Sequence, residues 1–126
     1  MDVLVAIDGS DGSTRALEFA ARYEAALHVV HVSDKETAAT EEVFDRARDV
    51  IDASDMKASL EFRSTDQLSV RPDETVANEL LDLVSERGID HVVIGHQGSG
   101  LIERAILGST SETMIRGSTV PVTIVP

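Results

Sequence analysis

The 126-residue chain contains no cysteine. A disulfide framework, a zinc–thiolate centre and a cysteine nucleophile are therefore all excluded. Lysine is almost absent too: Lys35 and Lys57 are its sole representatives among 11 basic residues. No segment gathers Lys and Arg into the basic patch that nucleic acids require, which argues against DNA or RNA as partners. Long apolar runs are also lacking. The first, Val3 to Ile7, is flanked by Asp2 and Asp8, so it is too short for a signal peptide and far too short to span a bilayer. With no internal repeat, low-complexity segment or linker, residues 1–126 read as one soluble cytoplasmic domain. Such a length buries a core without metal or disulfide staples.

What the chain does have is negative charge. Asp and Glu total 23 and the formal net charge is -12. The acids are dispersed along the chain and not collected in a tail, as expected of a solvated surface. A halophilic adaptation follows as an expectation, because molar salt screens self-repulsion within a few ångströms.

Four apolar runs rich in β-branched residues stand out: Val3 to Ile7, Leu27 to Val32, His91 to Ile94 and Val120 to Val125. A weaker fifth, Ala58 to Arg63, alternates in polarity. The strong runs are continuous, as in parallel strands covered on both faces. Helical stripes lie between them. Ala16, Leu17, Ala20, Ala21 and Tyr23 form one; Val43, Phe44, Ala47, Val50 and Ile51 a second; Val76, Leu80, Leu81 and Val84 a third. Pro72 and Asp73 open the third and Arg87-Gly88 close it. A fourth runs from Leu101 to Leu107 and resumes after Gly108 with Met114 and Ile115. Lys35 to Thr40 reads as a loop. The order β-α-β-α-β-α-β-α-β specifies an open, mostly parallel α/β sheet with helices on both faces.

Ligands of such sheets bind beyond the carboxyl ends of the strands, and two strand ends here carry chemistry. Ala6-Ile7-Asp8-Gly9-Ser10 ends the first. Asp8 and Ser10 can serve a turn with Asp11 or Ser13 as helix cap; alternatively, Asp8 faces the crevice, where a carboxylate accepts from ribose hydroxyls or an adenine amine. Gly95 and Gly98 flank His96-Gln97 after the fourth run, and Gly108, Ser109, Thr110 and Ser111 follow. These can serve a tight turn and a cap. They can also bring backbone amides and hydroxyls close to an anion at a helix N-terminus, so that an acidic protein holds phosphate without lysine.

The spacing Gly95-x2-Gly98-x9-Gly108-Ser109 resembles the G-x2-G-x9-G-S/T signature of the nucleotide-binding branch of the universal stress protein family. Ile7-Asp8-Gly9-Ser10 with Ser13, Ala16, Leu17 and Ala20 is similar to that family's first strand and helix. Leu27 to Val32 is similar to its second strand and Pro121 to Val125 to its last, so the likeness covers essentially the whole chain. It implies a Rossmann-like five-stranded parallel sheet of order 3-2-1-4-5 with ATP, AMP or ADP across its carboxyl edge. Asp8, with Ala6 and Ile7 beside it, would lie near ribose and adenine, and the Val32 main chain would meet the adenine. Gly95 and Gly98 would lie over ribose and phosphates; Gly108, Ser109, Thr110 and Ser111 would hold the phosphate chain. It also implies a homodimer through the last strand, where Val120, Val122, Ile124 and Val125 supply an apolar edge. His96-Gln97 departs from the family's usual pair, Val70-Arg71-Pro72 replaces a frequent Gly-x-Pro, and the link Tyr23 to Ala26 lacks the usual glycine. Weaker phosphate binding, or dependence on Mg2+, is the expectation.

Two functions compete. One is a nucleotide-binding stress-response module that catalyses little; the other is a slow ATPase or autophosphorylating enzyme with Ser109, Thr110 or Ser111 as acceptor. Hydrolysis needs a positioned water and a charge stabiliser. The motif has no lysine and no candidate base better than Asp8, so binding without a catalytic residue is favoured. A receiver domain would need an acidic pair after the first strand and a lysine ending the fifth, and neither is present. A P-loop is excluded by the absence of G-x4-G-K-S/T.

Overall fold

The computed structural model describes residues 1–23, 25–65, 72–96 and 108–126. Five strands and four helices alternate: β1 (Asp2–Ala6), α1 (Asp11–Ala20), β2 (Ala26–Ser33), α2 (Ala38–Ser54), β3 (Ala58–Ser64), α3 (Pro72–Arg87), β4 (His91–Gly95), α4 (Gly108–Gly117) and β5 (Val122–Val125). All strand pairs are parallel, in the order β3-β2-β1-β4-β5. This is the expected α/β sheet.

Side chains of successive β1 residues point to opposite faces, and the core divides accordingly. Val3, Val5 and Ile7 pack with Ala16, Leu17 and Ala20 of α1 and with Phe44 and Ala47 of α2. Leu4 points the other way, joining Val30, Val92 and Ile94 beneath Ala77, Leu80, Leu83 and Val84 of α3 and Met114 of α4. The central strands are apolar on both faces because both faces are roofed by helices. β3 is an edge strand whose burial is only partial, and its alternating sequence reflects that.

Two boundaries differ from the sequence expectations. Lys35 to Thr40 is not all loop, since α2 begins at Ala38. The Thr37 amide donates to Oγ1 of Thr40 (3.0 Å), half of a capping box that starts the helix early. The last strand begins at Val122 and not Val120. Ser118 Oγ donates to the Val120 carbonyl (2.8 Å) and accepts from the Val120 amide (3.1 Å), so a hydroxyl-centred turn occupies the start of that run.

An ion cluster ties the β3 edge to α3. The Arg63 guanidinium contacts Glu79 (3.2 Å), Glu86 (3.5 Å) and Glu61 (3.6 Å), and Arg87 reaches Glu61 at 2.9 Å. Its neighbouring glutamates hold the Arg63 guanidinium in its charged form against the desolvation that works the other way.

Candidate functional site

Strand order reverses between β1 and β4, so their carboxyl ends form the topological switch point of the sheet. α1 and α4 both run back against the strands, which places their N-termini at that same edge.

The first half of the site is the β1–α1 turn. The Asp8 carboxylate accepts from the Ser10 amide (2.9 Å), and the Asp8 amide donates to Ser13 Oγ (3.2 Å). Ser10 is the N-cap of α1, its hydroxyl accepting from the Ser13 amide at 3.1 Å. Asp8 therefore serves the turn: the bond from the Ser10 amide orients its carboxylate, and the residue is exposed. Gly9 takes φ 83, the left-handed region that favours glycine. From α2, Arg46 donates to the Gly9 carbonyl (2.7 Å) and to the Asp11 carboxylate (2.5 Å). The Arg46 hydrogen bond and charge hold the Asp11 carboxyl below the usual carboxylate range.

Ala6 and Val32 border the α3–α4 face, as partly buried neighbours of that half of the core. Ile7 does not share their face. Its side chain is buried among α1 and α2 residues, so it reaches the edge with its main chain alone. Its amide donates to the Val30 carbonyl (2.9 Å) and its carbonyl is met by His31 Nδ1 (2.8 Å).

The second half is the end of β4 and the start of α4. Gly95 pairs with Val125 in the ladder, and the half-buried His96 donates its amide to the Val125 carbonyl at 2.7 Å. The close approach that Gly95 permits is to the protein's own backbone: a Cβ there would lie 2.3 Å from the Gly12 carbonyl oxygen. Gly12 is equally constrained, since a Cβ on it would come within 2.7 Å of the His96 carbonyl oxygen. Gly98 and Gln97 lie outside the described residues. Gly108 opens α4 with Ser109, followed by half-buried Thr110 and buried Ser111. The first turn of α4, which begins at Gly108, lies at this edge, where helix amides lack intrahelical partners.

The profile of the universal stress protein family matches residues 1–126. The chain belongs to this family. Universal stress protein YxiE of Bacillus subtilis is 29% identical over 143 residues, covering 98% of this chain and 97% of that protein. Putative universal stress protein SH1215 of Staphylococcus haemolyticus is 27% identical, covering 98% and 83% respectively. Among solved structures, the universal stress protein from Archaeoglobus fulgidus superposes with TM-score 0.79 at 21% identity, over 100% of this chain and 98% of that one. A universal stress protein solved in complex with cAMP superposes with TM-score 0.76 at 24% identity, over 100% and 96%.

Against this universal stress protein fold, the sequence reading missed Gly12, His31 and Arg46. A glycine in the first turn of a helix carries a propensity cost that signals close packing. A histidine inside the β-branched run Leu27 to Val32 was likewise a visible interruption. Arg46 gave no signal, because its partners Gly9 and Asp11 are brought to it by the fold. Among the described residues, no three metal-ligating side chains converge and no helix is long and apolar enough to cross a membrane.

Proposed function

We propose that this chain binds an adenine nucleotide at the carboxyl edge of β1, β2 and β4 and acts as a stress-response regulatory module. ATP is the foremost ligand, with AMP and ADP as smaller occupants of the same cleft. The observation that carries the reading is a juxtaposition. The Asp8 carboxylate, the end of β2 at Val32 and the N-terminus of α4 share one sheet edge at the switch point, in a family in which a structural neighbour holds cAMP. Each group suits a part of the ligand. Asp8 accepts from ribose hydroxyls or the adenine amine, and the Val32 main chain offers an N–H and a carbonyl to the base. Phosphate meets the amides of Gly108, Ser109 and Thr110, whose dipoles oppose the global charge locally. Gly95 and Gly98 complete the motif, with Ile7 contributing main chain and Ser111 supporting the α4 turn. Mg2+ would offset the charge of a triphosphate beside Asp8.

The test is mass spectrometry of nucleotide released from denatured purified protein, with thermal shifts on adding ATP with and without Mg2+. Gly98→Val combined with Gly108→Val should abolish the shift. If nothing co-purifies and no shift occurs, the reading fails. Following ATP loss over time separates binding from slow hydrolysis or autophosphorylation.

A further inference from the structure

The β1–β2 ladder stops one rung short of its expected end. On β2, the residues whose main chain faces β1 alternate: the Ala26 amide donates to the Met1 carbonyl, and the Val30 carbonyl accepts from the Ile7 amide. Parallel register makes the next rung a bond from the Val32 amide to the Ile7 carbonyl. That bond is not formed; the pairing ends at Ala6↔Val30, although β2 continues beside β3 to Ser33↔Ser64. The Ile7 carbonyl is instead met by His31 Nδ1 at 2.8 Å. A carbonyl can only accept, so Nδ1 carries the proton. After Ile7 the chain turns toward α1, where the Asp8 amide finds Ser13 Oγ.

The ring is held in place to do this. Phe44 of α2 meets it edge-on with centroids 6.3 Å apart, and Phe62 of β3 lies 6.1 Å away. Two of the chain's three phenylalanines thus flank one imidazole. A buried carbonyl left without a donor is costly, and without the ring the cheapest donor is the Val32 amide, which would close the rung.

We propose that His31 is a positioning residue: by taking the Ile7 carbonyl in place of the ladder, its imidazole keeps β1 and β2 apart at their carboxyl ends and leaves the Val32 amide facing the cleft, where the base of a nucleotide is recognised. The second half of this statement rests on the nucleotide reading above; the first does not.

The experiment compares the full chain with His31→Leu and His31→Asn, the latter because an Asn amide can reproduce the Nδ1–H donor. In the nucleotide-free proteins, amide hydrogen exchange by NMR should find Val32 fast in wild type and His31→Asn. In His31→Leu it should be slower by about tenfold as the rung closes. A Val32 amide already protected in wild type, or unchanged in His31→Leu, overturns the proposal. Titration with AMP and with uridine monophosphate then reads the site. His31→Leu should lose about tenfold in AMP affinity while UMP binding barely changes, the worth of one hydrogen bond; His31→Asn should keep the preference. Equal losses for both nucleotides would reduce His31 to a structural residue. A wild type that binds neither would sink the nucleotide reading, while the exchange data would still decide the role of His31.

Discussion

Gly12 and Gly95 meet backbone to backbone: a Cβ on Gly95 would sit 2.3 Å from the Gly12 carbonyl oxygen and 2.8 Å from the Ser13 amide. The first turn of α1 therefore rests directly on the end of β4, and main-chain contact fixes the β1–α1 turn against that strand end. Neither strand nor helix can yield cheaply, because both partners are main chain. Gly95→Ala should destabilise the protein by about 2–3 kcal/mol, at the upper end of overpacking costs, as measured by urea unfolding. Gly12→Ala is the sharper case, since alanine elsewhere in a helix gains up to about 1 kcal/mol over glycine. A neutral or stabilising Gly12→Ala would show that the contact relaxes freely.

Asp11 and Asp2 should both titrate below the ordinary aspartate range. Asp11 is held down by Arg46, and Asp2 chiefly by the hydrogen bond from His28 (2.9 Å), with smaller help from the charges of that ring and the N-terminus. A carboxyl depressed in the folded state stabilises the fold above its unfolded pKa, and that contribution is lost as pH falls through the folded value. The loss thus belongs to the acid limb, beginning near the ordinary aspartate value of 3.8 and ending below it. Carboxyl NMR titrations should return Asp11 to normal in Arg46→Met and Asp2 to normal in His28→Phe. Crossed effects, or none, would contradict the assigned partners.

Removing Arg63 leaves Glu61, Glu79 and Glu86 facing one another, with Arg87 on Glu61 among the described residues. Arg63→Met should cost about 1–2 kcal/mol, more than a surface ion pair because three carboxylates lose their common partner. Arg63→Lys should recover part of it, as a point charge replaces a fork. Urea midpoints at low salt decide the matter; a loss equal to that of Arg48→Met, whose partner is the exposed Asp45, would deny the cluster any special weight.

Across the whole surface, 23 acidic residues against 11 basic ones should make stability rise with KCl. Screening shortens from about 10 Å at 0.1 M to about 3 Å at 1 M, which relieves self-repulsion more than it weakens the few ion pairs. Thermal midpoints that stay flat between those concentrations would remove the case for adaptation to salt.

The Pro121 carbonyl, just before β5, and the Val125 carbonyl, at its end, accept from the Val92 and His96 amides, so by alternation Ile124 directs its amide away from the sheet. Pairing of two copies through this strand would use that amide. Ile124→Pro removes it without touching the β4 ladder, and should convert a dimer to a folded monomer in analytical ultracentrifugation. A wild type that sediments as a monomer contradicts pairing through β5.

The architecture was legible because covered parallel strands and amphipathic helices leave periodic traces. Val3 to Ile7 and His91 to Ile94 marked β1 and β4 to within a residue, and the alternating run Ala58 to Arg63 proved to be the partly buried edge strand β3. Tyr23 was less faithful. It continues the α1 stripe, yet the helix ends at Ala20 and the ring packs on Phe19 and His91. At the cleft, residue types could be read but not directions. Ile7 turned its side chain into the core, Asp8 was bound into the turn by the Ser10 amide, and the small size of Gly95 served its contact with Gly12. Those outcomes depend on contacts between residues such as 12 and 95, or 9 and 46, whose proximity no local pattern encodes.

The position of β1 in mid-sheet has a kinetic consequence. One side of it pairs with β2, some two dozen residues later, but Val3 pairs with His91 on the other. During synthesis at roughly 5–20 residues per second, β1 and β2 can zip while the opposite edge of β1 waits several seconds for its partner. Closure of that long loop should limit the folding rate, and the waiting edge, Val3-Leu4-Val5, is the segment a chaperone would have reason to cover.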